Sequence, residues 1–216
     1  MIQQRSDEYY MALALEQARL AAALGEVPVG AVVVRGGEVI AAACNRRESG
    51  QNALAHAECL AVSAACRARS GWRLWDCTLY VTMEPCPMCA GAVLNSRLAR
   101  VVYGVPDPRA GCCGSVTDLF TLLPGHRPAL CSGVLADEIA PLLSDFFARM
   151  REARRTRPAW TPGVPRTLTD GAAWFDPFEE AFPSDASDLP EANGASGIYP
   201  ASDAICPPTA EKEQQS

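Results

Sequence analysis

The chain has 216 residues, 49% hydrophobic and 20% charged, enough for one packed domain of ordinary size plus an appendage. Its net charge of −6 is unevenly spread: residues 1–160 carry 17 Arg, no Lys and 15 acids, whereas residues 161–216 carry Arg166 and Lys212 against 10 acids. The faintly basic body neither demands nor excludes a nucleic-acid partner, and no apolar run suits a membrane span or a secretory leader, so the cytoplasm is the expected compartment.

In chain order, Ser6 followed by Asp7 and Glu8 reads as a helix N-cap with acids in the first turn. Tyr10, Leu13, Ala14, Ala18 and Ala21 continue it at helical spacing as far as Gly25. Val29–Val34 and Val39–Cys44 flank Gly36-Gly37 and predict a β-hairpin. A polar loop, Asn45–Asn52, leads to a helix expected over Ala55–Arg69, which Ser70-Gly71 ends. Cys77–Val81 reads as a strand, Pro87 as the first turn of a third helix, and Val101–Val105 as another strand. A glycine-bearing loop follows at 106–115, then a short strand at Ala129–Ser132 and a long helix over Asp137–Arg155. The order predicts a mixed sheet covered by helices. From Pro158 the texture changes to Pro, Gly, Ser and acids, which predicts a folded domain over 1–157 and an acidic, disordered tail over 158–216.

Chemistry concentrates in two stretches thirty residues apart, His56-Ala57-Glu58 and Pro85-Cys86-Pro87-Met88-Cys89. One imidazole and two thiolates are ligands of the kind that hold zinc. Three protein ligands leave a fourth position for water, as in catalytic rather than structural zinc sites. Glu58, two residues beyond the His, is placed to serve that water as a proton carrier rather than to bind the metal. Thiolates near a helix start are favoured by the dipole and the free N–H groups. The pattern H-x-E followed by P-C-x-x-C matches the signature of zinc nucleobase deaminases.

The wider sequence resembles the bacterial tRNA-specific adenosine deaminases of the cytidine deaminase superfamily. The matching words are Glu26–Val32, Asn45-Arg46, Ala55–Glu58, Thr78–Ala92, Arg100–Gly104, Asp107, Gly111, Gly114-Ser115 and Leu142–Phe147. The resemblance implies a three-layer α/β/α cytidine-deaminase-like fold with a mixed five-stranded sheet. It implies a homodimer converting adenosine to inosine at the wobble position of a tRNA anticodon. It further implies His56, Cys86 and Cys89 as zinc ligands, Glu58 as the proton shuttle, and Asn45 with the backbone near Ala57 as contacts to the flipped base. The 106–115 loop, with Asp107, and the Arg-bearing end of the last helix would meet the anticodon stem-loop.

Two other readings share these words. A free-base or nucleoside deaminase acting on guanine or cytidine would carry the same zinc motif. A zinc-stabilised RNA-binding scaffold would need the ligands but not Glu58. Among the remaining residues, His126 reads as a solvated loop residue, Trp72 and Trp75 as packing residues, and Phe146 and Phe147 as core. Arg149, Arg151, Arg154 and Arg155 read as a solvated face, and the spare cysteines as unpaired thiols.

Overall fold

The computed structural model describes residues 5–122 and 125–155; the acidic tail predicted at 158–216 lies outside the described residues. The first helix, α1 (Asp7–Ala23), starts on Ser6, whose hydroxyl accepts the Tyr9 N–H at 3.4 Å. Strands β1 (Gly30–Arg35) and β2 (Glu38–Cys44) form the predicted hairpin. Gly36 and Gly37 both take positive φ, 56° and 88°, as a tight turn with the strands' own twist requires. The next elements are α2 (Ala57–Ala68), β3 (Cys77–Met83), α3 (Pro87–Ser96) and β4 (Arg100–Val105). A short helix α4 (Leu119–Leu122), strand β5 (Ala129–Cys131) and the long helix α5 (Ala136–Arg155) complete the body.

The five strands lie in the order β2-β1-β3-β4-β5. β1 is antiparallel to both β2 and β3, whereas β3, β4 and β5 run parallel. Alternation along the strands sorts the core into two layers. Ala31, Val33, Leu79, Val81, Val101 and Tyr103 face α2 and α3 in one apolar cluster. The intervening Val32, Val34, Tyr80 and Val102 are buried too, and α1 and α5 cover that second face with Tyr10, Met11, Leu15, Ile139, Leu143 and Phe146. The result is the expected three-layer α/β/α arrangement. Gly30 belongs to it because a Cβ there would collide with the Ala14 carbonyl and the Ala18 nitrogen of α1.

Several expectations need correction. The second helix begins at Ala57, not Ala55, because Ala55 closes the preceding loop. Its N–H donates to the Asn52 carbonyl and its carbonyl accepts the Arg46 N–H, both at 3.0 Å. Trp72 and Trp75 are not packed inside; they are 50% and 62% exposed, and the Arg73 guanidinium stacks over both rings. His126 is tied down rather than simply solvated, since its Nε2 lies 2.6 Å from the Leu98 carbonyl oxygen. The four-residue α4 is too short for periodicity to reveal.

Candidate active site

Three elements end together at one edge of the sheet: the carboxyl end of β3 and the N-termini of α2 and α3. His56 is the N-cap of α2 and Cys86 the N-cap of α3, both in extended backbone conformation. Neither side chain caps its own helix, so both are left to point outward. Pro87 occupies the first turn of α3, where its missing N–H costs nothing. Cys89 falls three residues after the cap, the position whose side chain folds back over the helix start. That is why the C-x-x-C spacing works: cap and third residue converge on one point.

The convergence is quantitative. The Cys86 and Cys89 Sγ atoms are 3.6 Å apart, and His56 Nδ1 lies 3.7 Å from Cys86 Sγ and 3.6 Å from Cys89 Sγ. Tetrahedral zinc with ordinary Zn–S and Zn–N bond lengths requires separations of about 3.8 Å and about 3.6 Å for such pairs. The donor set therefore fits zinc in both chemistry and spacing. Among the described residues, no fourth His, Cys, Asp or Glu joins this cluster. Cys59 stands beside it, its Sγ 3.7 Å from Cys89 Sγ.

Electrostatics point the same way. Contact with the Cys89 thiol, and then with His56, holds the Cys86 thiol down to about 4. The Cys59 and Cys86 sulfurs push Cys89 in the opposite direction, and burial adds to it. Only one of these sulfurs ionises readily alone; a divalent cation removes the conflict and lets both serve as thiolates. His56 is shifted upward, first by its contact with Cys86.

Glu58 sits in the first turn of α2, 4% exposed, and burial raises its carboxyl above the ordinary range. Its Oε2 is buried without a hydrogen-bond partner. A buried carboxylate oxygen without a partner calls for an explanation, and this one lies beside three side chains that could hold a metal ion. What it faces is a cleft of about 130 Å³, lined by Glu58, His56, Cys86, Ala57, Asn45 and Asp107 together with Val27, Val29, Arg47, Met83 and Glu84.

Asn45, His56, Ala57, Glu58, Cys86 and Asp107 thus border one cleft, and Cys89 joins His56 and Cys86 in the group that could hold a metal. Among the described residues, the rest of the 106–115 loop and the Arg-bearing end of α5 do not line it. Asn45 is 6% exposed and hydrogen-bonded through Nδ2. Ala57 is fully buried at the first position of α2, where backbone N–H groups lack helical partners. The Asp107 carboxylate accepts the Arg109 N–H at 3.0 Å, so part of its capacity goes to shaping its own loop.

Two buried acids and Arg47 escaped sequence reasoning. Glu84 is 2% exposed and accepts the N–H groups of Cys113 at 2.8 Å, Ser115 at 3.1 Å and Asp107 at 3.0 Å, with the Ser115 hydroxyl as a further donor. A Cβ at Gly111 would collide with this carboxylate, which accounts for the glycine. Glu26 holds the facing loop in the same manner, through Asn45, Glu48 and Ser49. Their positions inside the matching words, just before Val27-Pro28 and Pro85-Cys86, were the available signal.

Residues 4–105 match the family model described as the cytidine and deoxycytidylate deaminase zinc-binding region. The tRNA-specific adenosine deaminase of Bacillus subtilis is 48% identical over 150 residues, covering 69% of this chain and 93% of that protein. A solved structure from work on A-to-I editing by tRNA:A34 deaminases at the wobble position of transfer RNA is 42% identical. It covers 62% of this chain and 99% of that one, with a TM-score of 0.60. The guanine deaminase of Nitrosomonas europaea is more distant, 29% identical over 66% of this chain and 85% of that one, with a TM-score of 0.59. The chain belongs to the cytidine and deoxycytidylate deaminase family, in the branch of the tRNA-specific adenosine deaminases.

Proposed function

We propose that this protein hydrolyses adenosine to inosine, with release of ammonia, at the wobble position of a tRNA anticodon. The observation that carries the chemistry is the buried, unpartnered Glu58 oxygen beside the His56, Cys86 and Cys89 cluster. The choice of substrate rests on the relatives: 48% identity to a tRNA-specific adenosine deaminase outweighs 29% to a guanine deaminase.

His56, Cys86 and Cys89 are the zinc ligands in this reading. Zinc bound there supplies Lewis-acid activation of water, bringing its pKa from ~15.7 toward ~7. Glu58 acts twice through its unpartnered oxygen: it carries one proton from the attacking water to a ring nitrogen, then a second, from the hydroxyl that water leaves on the ring carbon, to the departing amine. Burial pushes its carboxyl upward, the direction that suits a group which must both accept and give up a proton. Asn45 and the backbone near Ala57 hold the edge of the extruded base, and Asp107 lines the same cleft. A base already unpaired in a hairpin loop enters such a cleft at lower cost than one in a duplex.

The anticodon stem-loop is the part of tRNA bound, met by the 106–115 loop and the Arg-bearing end of α5. We place the boundary of the deaminase domain at residue 157 and the protein in the cytoplasm. No helix among the described residues is long and apolar enough to cross a membrane. The protein acts as a homodimer. Supporting this, Leu54 is 63% exposed just before α2, Leu60 and Leu94 are half-buried on α2 and α3, and nothing stands over Gly91.

Inosine formation in an anticodon stem-loop RNA by the purified protein, beside a Glu58→Ala control, tests this directly. Product should appear in the parent and not in the control. Turnover of guanine or cytidine with none on RNA would assign the site to the free-base reading instead.

A further inference from the structure

Glu26 lies in the turn between α1 and β1 and is fully buried. Burying a carboxylate is costly unless donors surround it. Here the Ser49 N–H lies 2.6 Å from Oε1, the Glu48 N–H is 3.1 Å and 3.2 Å from the two oxygens, and Asn45 Nδ2 is 3.2 Å from Oε2. Two of these donors fix the backbone of the loop. The third is the side chain of a residue that lines the cleft.

That third contact has a direction built into it. Both Glu26 oxygens serve as acceptors, taking the N–H groups of Glu48 and Ser49, and Oε2 accordingly faces the NH₂ end of the Asn45 amide rather than its oxygen end. The Asn45 backbone is pinned as well, its N–H donating to the Val29 carbonyl at 2.9 Å. With backbone and one amide N–H both held, the amide is left a single orientation. Its oxygen and its remaining N–H keep fixed places at the cleft.

We propose that Glu26 is a positioning residue for base recognition: by accepting from Asn45 Nδ2, it sets which hydrogen-bonding pattern the Asn45 amide offers to the base. This deepens the assignment of Asn45 as a base contact and rests on it. Glu26 itself does not line the cleft and acts only through Asn45.

Glu26→Gln keeps the shape but replaces one acceptor with a donor. The Glu48 and Ser49 N–H groups claim the new amide's oxygen, so its NH₂ meets Asn45, and the Asn45 amide must turn over. The pattern offered to the base is then reversed. The expected result is a KM for the anticodon stem-loop RNA raised by about ten-fold or more, the scale of one hydrogen bond to a charged group. The kcat should change less, and the zinc content should match the parent.

A double-mutant cycle separates positioning from mere support of the fold. If Glu26 acts through Asn45, Glu26→Gln should lose its effect on KM once Asn45→Ala is present. An equal penalty in both backgrounds, or a parent-like KM in Glu26→Gln, overturns the proposal. Hydrogen exchange of the Asn45 side-chain amide in the parent, followed by ¹⁵N NMR, needs neither a folded variant nor a substrate. One slowly exchanging Nδ2 proton supports the clamp; exchange as fast as that of the exposed Asn52 amide refutes it. A parent that leaves RNA unchanged but shows the protected amide would reject the tRNA reading and leave the clamp standing.

Discussion

Three helices of this protein begin in two different ways, and the contrast marks where function lies. α1 starts as a stable helix should: the Ser6 hydroxyl accepts the Tyr9 N–H, and Asp7 in the first turn pairs with Arg100 through two contacts of 2.7 Å. α2 and α3 start on His56 and Cys86, which leave their own helix ends without a side-chain cap. A good cap is worth about 1 kcal/mol. Both helices forgo it at the same edge of the sheet, and the two unspent side chains meet within 3.7 Å. Local stability has been given up where lone pairs must point at something other than the helix.

The sharpest way to break this contrast is to restore a cap. Cys86→Ser puts a preferred capping residue at the start of α3 but replaces a soft thiolate by a poor zinc ligand. Zinc per chain, measured by elemental analysis, should drop from about one to well under it, and deamination should disappear with it. With a chelator present the order of stability should reverse. The serine variant is then expected to be about 1 kcal/mol more stable than the equally treated parent. A serine variant less stable under both conditions would show that Cys86 supports the helix rather than a metal.

Glu58→Gln is the next largest change, and it separates catalysis from metal binding. Losing a positioned proton carrier costs about 10²–10⁴-fold in rate. Zinc content should stay at the parental level, and the melting temperature should be no lower, because no hydrogen bond to Oε2 is lost. A drop of several degrees would mean that the carboxylate was holding the fold.

The same contrast explains what could be read in the sequence. The thiol pair was legible because its geometry is local: a cap and a third residue are neighbours in any helix that starts on Pro87. The hairpin was legible because Gly36-Gly37 names its own turn. Glu26 and Glu84 were not, since the N–H groups that justify burying them come from 19 to 31 residues further along the chain. A carboxylate that clamps a distant loop looks, in one dimension, like any surface acid. Trp72 and Trp75 misled for the converse reason. Large apolar residues tend inward, but nothing forbids their exposure, and here Arg73 covers them from outside.

The smallest expected effect lies at the well-capped end and shows what a purely structural terminus does. The hydrogen bonds from Arg100 hold the Asp7 carboxyl below its ordinary value of 3.8, and the Tyr80 hydroxyl donates to the same group at 2.8 Å. A carboxylate that binds its proton less readily when folded than when unfolded adds stability above its unfolded pKa. That contribution fades as pH falls through the lower, folded value. Asp7→Asn should therefore cost about 1 kcal/mol near neutral pH, the scale of a partly buried bidentate pair. The gap from the parent should close in strong acid, as read by urea midpoints taken across pH. Zinc content and deamination per folded molecule should not move at any pH where both proteins are folded, because Asp7 belongs to the face of the sheet covered by α1 and not to the one that carries the cluster.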